Sequence, residues 1–119
     1  MGINIMEEKS FAFAIEIIGF YKQMLGESKD MVLAKQILRS GTSIGANVKE
    51  GVSAQSKRDF LTKMNIALKE AEETEYWIQL FMATGYIKEQ QPQILYKCKE
   101  LCRILSATVS TTKRHLNLE

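Results

Sequence analysis

Apolar residues recur along almost the whole chain at steps of three and four, and no stretch alternates over the length of a strand. The pattern predicts a first helix over residues 8–26, with a stripe of Phe11, Ala14, Ile15, Ile18, Tyr21 or Lys22, and Leu25. Gly26 and Ser28 close it, and Asp30 can cap the next helix. A second helix is expected over 30–53, striped by Ala34, Ile37, Gly41, Ile44, Val48 and Val52. Ser56 with Asp59 three residues on reads as a capping-box variant opening a third helix over 56–84. There Phe60, Met64, Ala67, Ala71, Thr74, Ile78 and Phe81 keep heptad spacing until Gly85. Pro92 suits a first helical turn, and Ile94, Leu95, Cys98, Leu101, Cys102, Leu105 and Val109 mark a fourth helix over 91–113. Four such helices with short connections predict an all-α, up-down-up-down antiparallel four-helix bundle, a single domain over 1–119. Tyr76, Trp77 and Leu80 lie off the main stripe of helix three. Helices two and three thus carry more apolar area than one core needs, which points to a homo-oligomer.

Composition narrows the chemistry. At 119 residues, 45% hydrophobic and 25% charged, the chain is of globular type. His115 is its single histidine, so the paired Glu-x-x-His motifs of di-iron bundles and the usual triads lack their parts. Glutamates 70, 72, 73 and 75 are better read as solvent-facing than as acid–base groups, and no enzyme, metal or cofactor is expected. Cys98 and Cys102 share one helix side and read as two buried thiols acting as small hydrophobes. The first residues lack a basic n-region and run into Glu7-Glu8, and no apolar run nears the ~18 residues of a membrane span. A cytoplasmic, reduced protein is expected. Leu118-Glu119 could be a cloning scar.

Residues 39–51, Arg-Ser-Gly-Thr-Ser-Ile-Gly-Ala-Asn-Val-Lys-Glu-Gly, do not read as plain bundle. Three glycines make a poor helix, yet the apolar stripe passes through Ile44 and Val48. Gly41 and Gly45 fall on the core side, where a missing Cβ lets two helix backbones approach. No Gly-Lys-Ser/Thr ending is present, so this is not a phosphate loop. Gln36, Arg39, Ser43, Asn47 and Glu50 fall within one arc of roughly 80° at 3.6 residues per turn. On helix three, Leu61, Leu68 and Met82 keep sevenfold spacing with Glu75 in the missing place and Glu72 one turn earlier. A carboxylate on a semi-apolar flank needs a partner, and Arg39 is the candidate. The expectation is a polar network of Arg39, Asn47, Glu50, Glu72 and Glu75 at a helix or subunit contact.

That stretch, followed by Ser56 and Phe60, resembles the signature of the bacterial four-helix-bundle proteins encoded in 23S rRNA intervening sequences. The later Glu73-Thr74-Glu75-Tyr76-Trp77 looks like the Glu-Thr-x-Tyr-Trp variant of that family's third helix. The likeness spans about residues 10–87; Val48 replaces a commoner isoleucine, and helix four is only generically similar. The resemblance implies an up-down four-helix bundle assembled as a homopentamer, a short barrel with a central channel. It also implies kinship with the accessory variability protein of diversity-generating retroelements, which binds nucleic acid and a reverse transcriptase. It implies no catalytic residues. By the same resemblance Arg39, Ser43, Asn47, Glu50, Gly51, Glu72, Glu75 and Trp77 are assembly and fold determinants.

Two function classes follow. The formal net charge is only +2, but the cationic excess sits in residues 29–55 and 88–119, and a ring would repeat it. The first expectation is therefore a non-catalytic oligomeric adaptor for RNA or DNA, with Lys35, Lys49, Lys97, Arg103, Lys113 and Arg114 as candidate contacts. The second is a protein-interaction scaffold anchored by Tyr76, Trp77 and Phe81.

Overall fold

The computed structural model describes residues 2–27 and 31–118. They form four helices, α1 (Gly2–Glu27), α2 (Met31–Val52), α3 (Lys57–Ala83) and α4 (Gln93–His115), in a rod of 47 × 23 × 23 Å. Each helix packs on two others, α1 on α2, α2 on α3, α3 on α4, and α4 back on α1. This is the up-down-up-down antiparallel bundle that the periodicity implies. The proposed Asp30 cap lies outside the described residues.

Local signals account for most of the boundaries. Ser56 Oγ accepts the Asp59 backbone N–H at 3.1 Å, the capping bond expected at the start of α3. The chain leaves α3 through Thr84 and Gly85, whose φ of +87° is the left-handed conformation glycine takes without strain. Pro92 sits one position earlier than expected: it is the N-cap of α4, with extended backbone, rather than part of the first turn. The first helix begins six residues sooner than its stripe suggests, because Met6 is part of the core and its sulfur meets the Thr108 hydroxyl at 3.6 Å.

One core runs the length of the rod. Its α3 layer is Leu61, Met64, Ala67, Ala71, Thr74, Ile78 and Phe81, the heptad stripe with Leu61 in place of the half-buried Phe60. Its α4 layer is Leu95, Cys98, Leu101, Leu105, Val109 and Thr112. From α2 come Ala34, Ile37, Ile44 and Val48.

The first helix overturns its predicted face. The buried residues are Met6, Ser10, Phe13, Ile17 and Met24, while Phe11 is 69% exposed, Ile15 57% and Ile18 41%. The physical reason is that α1 is apolar on both sides, so spacing alone supplies two stripes. The choice falls to the small residue. Ser10 lies under Gly45, where an added Cβ would stand 3.2 Å from the Ser10 carbonyl oxygen. Gly41 crosses Ile17 as closely, so both glycines mark the near approach of α1 and α2 that their core-side spacing implies. The surplus apolar area therefore lies mainly on α1, rather than on helices two and three.

Candidate functional site

Two regions hold the residues singled out by sequence. The first is the seam between α2 and α3. Arg39, exposed on α2, donates to both carboxylate oxygens of Glu70 at 3.2 and 3.3 Å and to Glu73. The Trp77 indole N–H donates to the same Glu73 oxygen at 3.1 Å, so one carboxylate joins the guanidinium to the ring. About three turns further along α2, Lys63 reaches across from α3 to Glu50 at 2.8 Å. Beneath this layer the buried Ser40 and Thr74 hydroxyls meet at 2.9 Å, and Thr74 also lies 2.7 Å from the Glu70 carbonyl.

Electrostatics follow the geometry. The Glu73 hydrogen bond, with the Glu70 charge, holds the half-exposed Arg39 guanidinium above its ordinary range. Partial burial pushes the Glu73 carboxyl up, but the Trp77 and Arg39 hydrogen bonds outweigh it and leave the group below its ordinary value.

The polar arc of α2 is thus the α3-facing seam, but its partners differ from those expected. Arg39 pairs with Glu70 and Glu73 rather than Glu72 or Glu75. On a 3.6-residue helix Glu75 lies roughly 140–200° round from those two, on the flank that faces α4. There it accepts from the half-buried Cys102 thiol at 3.6 Å and from Gln79 at 3.4 Å. Glu72 is exposed. Asn47 donates to the Ser43 carbonyl at 2.8 Å and Ser43 to the Arg39 carbonyl at 2.6 Å, so both are satisfied within α2. Gly51 is buried where Met64, Lys63 and Phe60 crowd the start of α3. The acidic run of α3 offers a carboxylate to every side, so spacing could not choose between them.

Cys98 is fully buried and donates to the Ala71 carbonyl at 3.2 Å. Its contact with Cys102, together with burial, pushes the thiol far above its ordinary range, so it stays protonated. Among the described residues, no three of His, Cys, Asp and Glu gather as metal ligands would. No described helix is long and apolar enough to cross a membrane.

The second region is one end of the rod. The antiparallel topology brings together the start of α1, the end of α2, the start of α3 and the end of α4. Lys49, Lys57, Arg58, Lys113, Arg114 and His115 collect there, alongside Glu7, Glu8, Glu50 and Asp59, and none of the six forms an ion pair with a carboxylate among the described residues. Of the six candidate nucleic-acid contacts, Lys49, Lys113 and Arg114 lie at this end. Lys35 is near the other end, Arg103 is exposed midway along α4, and Lys97 is engaged with Glu16 at 2.7 Å. Lys57 and Arg58 were missed by sequence; the signal available was their position at the first turn of helix three. The aromatic anchor contracts: Phe81 is fully buried and Trp77 half-buried, leaving Tyr76 exposed.

A family model described as 23S rRNA-intervening sequence protein matches residues 4–107. The chain is also similar to a crystal structure from Bacteroides thetaiotaomicron VPI-5482, a protein of unknown function from the S23 ribosomal protein family. The identity is 48% and the TM-score 0.88, over 92% of this chain and 99% of that one. Among curated proteins none matches.

Proposed function

This chain belongs to the 23S rRNA-intervening sequence protein family, and we propose that it acts as a non-catalytic homo-oligomeric helical bundle that binds RNA or DNA as an accessory factor. The five-membered ring is the assembly that the sequence resemblance implies. A protein partner, such as a reverse transcriptase, belongs to the same expectation. The observation that carries the reading is the basic end. Cations from three helices gather there with no ion pair among the described residues; along the sides of the rod Lys9, Arg39, Lys63 and Lys97 are paired with acids, while Lys22, Lys69, Lys99 and Arg103 are spread singly. Unpaired Lys and Arg are what phosphate binding uses, and a ring would repeat the cluster around one rim.

The test is fluorescence anisotropy with a labelled mixed-sequence RNA and a labelled duplex DNA, titrated at 50 to 200 mM salt. The reading expects binding that weakens steeply with salt, because each phosphate contact releases counterions. It also expects Lys113→Glu/Arg114→Glu to weaken binding by at least tenfold at the lowest salt while the helical circular-dichroism signal is kept. Absence of binding at 50 mM salt refutes it and leaves the protein-interaction scaffold, to which the exposed Tyr76 gives weaker support.

A further inference from the structure

Charge divides α3 and α4 along their length. Segments 57–69 and 103–115 together carry seven lysines and arginines against one acid, Asp59. Beyond them α3 turns acidic, with Glu70, Glu72, Glu73 and Glu75. Packing sets the two basic segments side by side. Cys98 and Cys102 of α4 lie against Ala71 and Glu75 of α3, so residue 100 is level with residue 73. Counting outward from there on antiparallel helices brings Arg58 level with His115, and Lys69 level with Ile104.

Helical register gives the directions. Eighteen residues make about five turns, so Lys57 points as Glu75 does, toward α4, and Asp59 as Trp77 does, toward the α2 seam. Lys113 lies about three turns from Cys102 and so points toward α3. Arg58 and Arg114 follow on the outer side. These four cations bracket the end of the α3–α4 groove, between helix axes about 8–10 Å apart. About three turns separate Arg58 from Lys69, and Arg103 from Arg114, so one further cation from each helix stands on the same face about 16 Å along. All six are exposed except the half-buried Lys113, and none has an ion-pair partner among the described residues. The seventh, Lys63, is turned to Glu50 of α2. Glu7 and Glu8 line a cleft between α1 and α2, on the opposite side of the rod. Like charges gathered on one face repel and cost the folded chain stability, so a ligand is the reason to keep them.

We propose that the α3–α4 side is a track for the phosphate backbone of a nucleic-acid duplex. The inference rests on the nucleic-acid reading above and deepens it, naming the face and the strandedness. The two cation groups span about five phosphates of one strand, at about 3.4 Å each along the duplex axis. The exposed hydroxyls of Ser106 and Ser110, on the Arg103 side of α4, can donate to phosphate between them. Single-strand grooves stack bases on aromatic side chains, and the one Phe, Tyr or Trp in the two segments is Phe60, which packs against the core. A duplex keeps its bases stacked on each other and presents a charge every 1.7 Å or about that, which cations and hydroxyls hold without a stacking platform. Duplex RNA and duplex DNA share this chemistry.

The experiment measures fluorescence anisotropy with labelled mixed-sequence duplex RNA, duplex DNA and their separate strands, at one length and about 50 mM salt, and solution mass by light scattering. At least one duplex is expected to bind about tenfold more tightly than its separate strands, and the two duplex arms decide which is the better ligand. Lys69→Glu/Arg103→Glu is expected to weaken duplex binding by about tenfold or more, and Lys22→Glu/Lys88→Glu, an equal charge change on other faces, by less than about threefold. Lys69→Gln/Arg103→Gln, the milder change, should lower the slope of log affinity against log salt by about two. Separate strands that bind as tightly as both duplexes overturn the strandedness. Equal weakening by the two charge-reversed pairs overturns the face, as does a Lys69→Glu/Arg103→Glu chain that loses the wild-type mass, because the face is then a subunit contact. These results leave nucleic-acid binding standing, whereas no binding of any probe overturns it together with the track.

Discussion

The closeness of α1 and α2 makes a sharp prediction, because one chemical change should have opposite signs at two glycines. Gly19 and Gly41 both lie inside helices, where alanine is favoured over glycine by about 1 kcal/mol. A Cβ at Gly19 meets nothing within 4 Å, so Gly19→Ala is expected to stabilise the fold by about 0.5–1 kcal/mol. A Cβ at Gly41 would stand 2.8 and 2.9 Å from Ile17 Cγ1 and Cγ2. Carbon pairs rest at about 3.5–4.0 Å, so the neighbour would have to yield by more than about half an ångström. Ile17 is fully buried and its β-branched χ1 is locked in a helix, so it cannot swing aside. Overpacking of this kind costs about 1–3 kcal/mol. Against the propensity gain, Gly41→Ala should be destabilising by about 1 kcal/mol, placing the two variants about 2 kcal/mol apart. Urea unfolding followed by circular dichroism, at one protein concentration for all variants, reads this difference. Ile17→Ala, which removes the clashing carbons, should cost at least about 1 kcal/mol less in the Gly41→Ala background than alone. If Gly41→Ala stabilises as Gly19→Ala does, the helices do not approach as described.

Glu73 titrates below its ordinary value of 4.5, so the stability it contributes is present above that pH and is lost as pH falls through the lower folded value. Glu73→Gln should therefore be less stable than wild type at pH 7, and the two unfolding curves should converge as pH falls through the lower folded value. Because both partners are more than a third exposed, solvent screening limits the difference to about 1 kcal/mol or less. Cys98, buried and held protonated, should react with a thiol reagent at pH 8 only at the rate of opening of the bundle. The half-buried Cys102 should react faster, and the order of labelling by mass spectrometry of peptides checks this.

The sequence was most legible where each helix has one apolar side. In α3 and α4 the stripes recovered nearly every core residue, with Leu61 for Phe60 the main exchange. It was least legible in α1, where Phe11, Ile15 and Ile18 compete with Phe13, Ile17 and Met24 for one core. The choice depends on which small residue can lie under Gly45, a tertiary fact no periodicity carries. The seam between α2 and α3 was legible as a polar arc and not as a pairing list. Arg39 found Glu70 and Glu73 because those two flank α2, while Glu75, a single step from Thr74, turns toward α4. Gly41 and Gly45 were legible because glycine in a helix needs a reason, and a close crossing supplies one. The basic end emerged only when the antiparallel topology put Lys57 and Arg58 at the same end of the rod as Lys113 and Arg114.

The central claim, an oligomeric bundle that holds nucleic acid electrostatically, is tested most directly by sedimentation velocity of a fluorescently labelled mixed-sequence RNA in the presence of the protein. At 50 mM salt the label should sediment with a species far heavier than the RNA plus one 13.6 kDa chain, and it should return to the free-RNA boundary as salt is raised. A label that sediments as free RNA at 50 mM salt, with the protein in excess, contradicts the account.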